Sequence, residues 1–114
     1  MPMISVKTNT AIPVDKEVIL KTKLGEAIAL IPGKNESRLM ISFEDNVRMY
    51  FSGKNDTSMA YVEVDCLGQS TREAYTKVTA AICDMMKAEL GIAPGSVYVR
   101  YDEAVHWGWN GKNF

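Results

Sequence analysis

RLMISFE (residues 38–44) and SVYVRYD (residues 96–102) are the same kind of segment written twice. In both, apolar and polar residues alternate, which is the period of a strand with one covered face. Leu39, Ile41 and Phe43 stand against Val97, Val99 and Tyr101 at a constant offset of 58 residues, and Ile4 and Val6 meet Val62 and Val64 at that same offset. Apolar meets apolar and polar meets polar, so the chain reads as two copies of one unit.

Working outward, each copy has a strand and a helix before its second strand. PMISVK (residues 2–7) alternates, and residues 14–34 then carry Leu20, Leu24, Ala27, Ile28 and Ile31 at helical spacing. Asp15 and Glu17 suit the first turn of that helix, and Pro32-Gly33 is expected to end it. AYVEVD (residues 60–65) opens the second copy. The helix over residues 70–91 starts at a capping-box pattern, Ser70 to Glu73, shows Tyr75, Val78, Ile82 and Met85 on one stripe, and closes at Gly91.

The expected architecture is a single α/β (α+β) domain over residues 1–114, with pseudo-repeats 2–45 and 60–103. Each repeat is a βαβ unit with the favoured right-handed crossover. Together they give a four-stranded mixed sheet with two helices on one face. The helices are expected to cover Ile4, Val6, Leu39, Ile41, Val62, Val64, Val97 and Val99. Ser5, Lys7, Ser42, Glu44, Glu63, Asp65, Tyr98 and Arg100 fall on the other face with Met3, Met40 and Tyr61. Such a small open sheet leaves its edges unpaired, and unpaired edges recruit other strands. VRMYFSG (residues 47–53) and VHWGWNG (residues 105–111) read as short edge strands for a neighbouring subunit, so self-association is expected.

The formal charge is −1 over 114 residues, with no basic stripe and no polybasic cluster. Neither nucleic acid nor a membrane surface is an expected partner. Cys66 and Cys83 form no CxxC and lack metal-ligand spacing, and the lone His106 cannot complete a zinc set. Two reduced thiols are expected, with one disulfide as the alternative. No signal peptide or apolar run long enough for a bilayer is visible, which favours the cytoplasm.

Pro2 stands out. Proline cannot donate to a sheet, so it is tolerated at a strand's first residue, and an incidental early proline is one reading. The other begins with loss of Met1, which turns Pro2 into a free secondary amine. A terminal amine titrates near pH ~8, and a modest downward shift makes it a usable base at neutral pH.

MPM, TN, PGK, MYFSG, VYV and the closing WGWNGKNF occur in an order and spacing that resemble the macrophage migration inhibitory factor and D-dopachrome tautomerase family from end to end. That resemblance implies a trimer whose sheets surround a central channel, and cofactor-independent keto–enol tautomerisation with the Pro2 amine as base after loss of Met1. It implies Lys34 as the cationic neighbour that, with desolvation, lowers the amine's pKa. Residue by residue it also implies substrate contacts from the backbone of Leu67, from Tyr98 of an adjacent subunit, and from the aromatic wall Trp109 and Phe114. Met3 lies near the base, and Trp107 replaces a smaller valine. No metal or other cofactor is implied. Lys34 also reads as an exposed residue after a helix-ending glycine, and the aromatics as core or interface residues.

Two positions depart from the family pattern. Arg100 stands where the mammalian cytokine has an asparagine; it could hold a substrate carboxylate, or pair with Glu63 or Asp65 at a subunit contact. Met59 and Val62 occupy the places of that cytokine's CxxC, so a thiol–disulfide activity is not expected. The expected function is a tautomerase acting on phenylpyruvate-like α-keto acids. One alternative is a cytokine-like protein that keeps the pocket, is exported without a signal peptide and signals through a receptor. A weaker one is a dehalogenase or hydratase of unsaturated acids.

Overall fold

The computed structural model describes residues 1–114 as a four-stranded sheet backed by two helices, with a small hairpin at the C-terminal end. In chain order the elements are β1 (Pro2–Thr8), α1 (Val14–Ile28), β2 (Met40–Glu44), β3 (Ala60–Leu67), α2 (Arg72–Leu90), β4 (Val97–Ala104), β5 (Gly108–Trp109) and β6 (Lys112–Asn113). The sheet order is β2-β1-β3-β4. β1 runs parallel to β2, and β3 parallel to β4, while β1 and β3 meet antiparallel at the centre. Two βαβ units joined back to back give this mixed sheet, as the 58-residue offset predicts.

The core follows from strand and helix periods together. Ile4, Val6, Val62 and Val64 point to the helix side, where they meet Leu20, Leu24 and Ile28 of α1 and Val78, Ile82 and Met86 of α2, all of them buried. Leu39, Ile41 and Val99 are only half-buried against this core, because Ile41 and Val99 sit on the two outer strands, β2 and β4, and Leu39 leads into β2. Both cysteines are free thiols, Cys66 buried and Cys83 half-buried. No helix is long and apolar enough to cross a membrane.

Local differences from the sequence reading have identifiable causes. α1 stops at Ile28 rather than at Pro32-Gly33. Pro32 disfavours helical backbone at Ile31, and the chain leaves the helix through tight bonds from Leu30 N–H to Ala27 and from Ile31 N–H to Ile28. The cap of α2 is Thr71, not Ser70: the Thr71 hydroxyl accepts from Ala74 N–H at 3.1 Å. Ser70 N–H instead donates to the Tyr75 hydroxyl and to Glu103, both at 3.2 Å.

Residues 47–53 form no strand within the chain. Their only sheet-like pairing is an isolated bridge from Phe51 to Lys54, closed by Ser52 and Gly53 at positive φ. The second expected edge piece, residues 105–111, is only partly strand. β5 folds back on β6 through Asn110 and Gly111, both at positive φ, the backbone that two-residue hairpin turns require.

Candidate active site

Parallel pairing places the start of β1 beside the start of β2, and antiparallel pairing places it beside the end of β3. Pro2 therefore lies opposite Cys66, while Met3 lies opposite both Met40 and Asp65. β4 ends at the same edge, with Glu103 level with Cys66 and Ala104 level with Leu67. The loops leaving β3 and β4 and the turn entering β2 all converge on Pro2.

Backbone and side-chain bonds fix this convergence. Leu67 N–H donates to the Met1 carbonyl at 3.1 Å, and Gly68 N–H to the Ala104 carbonyl at 2.9 Å. Lys34, reached through the left-handed Gly33, turns its ammonium inward and donates to the Leu67 carbonyl at 2.8 Å. The aromatic wall comes from the hairpin. Trp109 stacks on Phe114 with ring centres 6.1 Å apart, and Phe114 N–H donates to the Trp107 carbonyl at 3.0 Å.

These elements enclose a cavity of about 870 Å³ whose lining includes Pro2, Met3, Arg38, Asp65, Trp107 and Trp109. A separate groove of about 450 Å³ between α1 and α2 shares no residue with it. Only the first brings a chain terminus, a guanidinium and aromatic rings together.

The electrostatics of the cavity are uneven. Burial, followed by the Lys34 ammonium, holds the Met1 amine below its ordinary value. With Met1 present, the Pro2 nitrogen is a peptide nitrogen, and loss of Met1 moves the free amine to Pro2. Burial, with Glu63 next, pushes the Asp65 carboxyl up to about 6, and its Oδ1 is shielded from solvent without a hydrogen-bond partner. Burial also pushes the Cys66 thiol up, so the thiol beside Pro2 is held in its neutral form.

Of the residues singled out from the sequence, Pro2, Met3, Trp107 and Trp109 line this cavity, Lys34 and Leu67 bond to each other beside Met1, and Phe114 backs Trp109. Tyr98 and Arg100 lie elsewhere. Tyr98 is level with Tyr61, which pairs with Lys7, five residues along β1 from Pro2, and it lies two strands across from β1, so it is roughly 20 Å away. There it packs on Phe51, ring centres 5.2 Å apart, and is exposed. Arg100 donates to Glu63 at 2.7 Å within its own chain and is not part of this cavity's lining.

Arg38, Asp65 and Asp102 also line the cavity, and neither alternation nor the family resemblance singles them out as site residues. For Arg38 a signal existed. Parallel strands of a βαβ unit start at the same end of a sheet, so the residues leading into β2, Arg38 and Leu39, must lie near Pro2.

The family model described as macrophage migration inhibitory factor (MIF) matches residues 1–114. A Xenopus laevis protein named macrophage migration inhibitory factor is 25% identical over 118 residues, covering 100% of this chain and 99% of that protein. The crystal structure of Leishmania major MIF2 is 29% identical with a TM-score of 0.91, covering 100% of this chain and 97% of that one. That of a macrophage migration inhibitory factor homologue from Prochlorococcus marinus is also 29% identical, with a TM-score of 0.80 and 98% of each chain covered.

Proposed function

Because the chain belongs to the macrophage migration inhibitory factor family, we propose that it is a cofactor-independent keto–enol tautomerase of phenylpyruvate-like α-keto acids. Its base is the Pro2 amine, exposed by loss of Met1. The observation that carries this reading is the position of the chain terminus: half-buried beside the Lys34 ammonium, at the mouth of an aromatic-walled cavity.

The chemistry follows from that geometry. The neutral Pro2 nitrogen takes a proton from the carbon next to the substrate carbonyl. The C–H electron pair becomes the carbon–carbon double bond, and the carbonyl π electrons move onto oxygen. The Lys34 ammonium stabilises the developing enolate, an electrostatic contribution of the kind that dominates such sites. The proton on Pro2 then passes to that oxygen to give the enol, and the reverse sequence returns the ketone. A ring nitrogen has no side-chain freedom to lose, and its reduced basicity keeps it unprotonated near neutral pH.

The assembly proposed with this activity is a homotrimer. Tyr98 lies far from Pro2 in its own chain, exposed at the opposite end of the sheet, where it is free to reach a neighbouring subunit's cavity. The dehalogenase alternative relied on Arg100, which is engaged by Glu63.

The test pairs intact mass with kinetics. Native protein lacking Met1 is expected to convert the enol of phenylpyruvate to the ketone, while the same chain with Met1 retained does not. Equal turnover by both forms, or none by the processed form, overturns the assignment. Cell-directed activity that persists without turnover favours the signalling alternative.

A further inference from the structure

We propose that Arg38 is the residue that binds the substrate's carboxylate and so sets the chain's preference for acids over neutral carbonyl compounds. This rests on the tautomerase reading for its substrate, but on different atoms for its support.

Three cations come into question, Lys34, Arg38 and Arg100, and two are already committed. Lys34 donates one N–H to the Leu67 carbonyl, and its remaining donors are those assigned above to the enolate oxygen. Arg100 is held by Glu63 at 2.7 Å. Arg38 makes none of the chain's four ion pairs, and its guanidinium has no hydrogen-bond partner in the protein. It lies over the Trp109 ring, 4.4 Å from its centre, in the wall of the cavity that holds Pro2.

Its placement is built from both sides. Asn35 caps the short helical turn Glu36–Arg38 by accepting from Ser37 N–H at 2.9 Å. Leu39 N–H then closes the turn on the Glu36 carbonyl, so the Arg38 backbone is fixed just before β2. At the far end Trp109, itself stacked on Phe114, supports the face of the guanidinium. Stacking uses that face and leaves the N–H edge free, the edge that matches a carboxylate with two parallel bonds.

The rest of the cavity reinforces the choice of position. Asp65 and Asp102 lie in the same lining, and their carboxylates repel an anion from their side. A substrate carboxylate is thereby confined to the Arg38 side, while the aromatic wall takes an apolar tail.

The test compares an acid with its neutral ester, in binding and in turnover. Both tryptophans of the chain line the cavity, so their fluorescence reports binding of phenylacetate, which cannot be turned over, and of methyl phenylacetate. Turnover is measured with phenylpyruvate and its methyl ester. Arg38→Met, at an exposed position, is expected to weaken phenylacetate binding and to lower kcat/KM for phenylpyruvate by about tenfold or more, the loss of a charge-assisted pair. Both ester measurements should stay within about threefold, and Arg38→Lys should fall between.

Equal losses for acid and ester, no loss for either, or failure of the unaltered protein to bind phenylacetate overturns the role of Arg38. If the unaltered protein binds phenylacetate through Arg38 but turns over neither substrate, the carboxylate site stands and the tautomerase reading falls.

Discussion

The Lys34 ammonium donates a 2.8 Å hydrogen bond to the carbonyl oxygen of Leu67, and Leu67 N–H in turn holds the Met1 carbonyl. One side chain therefore ties the turn after α1, the end of β3 and the chain terminus into one unit. Its charge also favours a neutral amine beside it. Lys34→Met is expected to raise the pKa of the Pro2 amine and move the acid limb of the kcat/KM profile to higher pH. At pH 7 the rate should fall about 10²-fold through lost charge stabilisation of the enolate. Lys34→Arg, which keeps the charge, should leave the acid limb closer to its original place. A pH–rate profile from 5 to 9 on both variants measures this.

Pro2 itself makes a graded prediction. Pro2→Ala still presents an amine at the strand start, but a primary and more mobile one. Its kcat is expected to fall about 10²-fold, the low end of what a positioned base contributes. One extra residue ahead of Pro2 converts the nitrogen to an amide and should remove the remaining activity. Steady-state kinetics with phenylpyruvate, on samples whose mass has been verified, separate the two.

Much of this arrangement can be read from residue order alone. The strand alternation and the constant offset between halves give the four-stranded sheet, since each repeat buries one face. Pro2, Met3, Trp107 and Trp109 are legible as neighbours through the family resemblance. Arg38 escapes because it begins a segment whose alternation draws attention to Leu39 and Ile41. Its role depends on Trp109, about 70 residues away in the chain. The raised Asp65 carboxyl is equally invisible, because alternation assigns it to a solvent face, whereas shielding of its Oδ1 is tertiary. Residues 47–53 look strand-like by composition, but Ser52 and Gly53 at positive φ bend them into a turn.

The cap of α2 distinguishes two adjacent hydroxyls. Thr71 Oγ1 accepts from Ala74 N–H, one of the orphan donors at the helix start. Ser70 acts through its backbone N–H. Thr71→Ala is expected to cost about 1 kcal/mol, read as a lower midpoint in urea, while Ser70→Ala should leave the midpoint almost unchanged.

Asp65 makes the fold sensitive to pH in a stated direction. Its carboxyl is raised from 3.8 to about 6, by burial first and Glu63 second. The folded state therefore binds the proton more tightly than the unfolded chain between those values. Stability from this group is fully present below pH 3.8, falls as pH rises toward 6, and is lost above it. Asp65→Asn should remove that dependence and stabilise the protein at pH 7. The gain is on the order of 1 kcal/mol, discounted because the carboxyl is only partly shielded. Urea titrations at pH 4, 5, 6 and 7 on both proteins measure it, and a variant that is less stable at pH 7 contradicts the assignment.

The separation of Tyr98 from Pro2 along the sheet makes the final prediction. In one chain these residues sit roughly 20 Å apart, yet both are expected to face one substrate. A ring of three subunits satisfies this if each cavity takes its Pro2 from one chain and Tyr98 from the next. Pro2→Ala and Tyr98→Ala chains are then each impaired alone. In any mixed ring of three, one boundary joins an intact Pro2 to an intact Tyr98. Mixed trimers, co-expressed and separated by ion exchange after a Lys21→Glu change in one chain, should therefore recover roughly a third of wild-type activity. Activity no greater than the average of the two parents would show that Tyr98 does not cross to a neighbour's cavity.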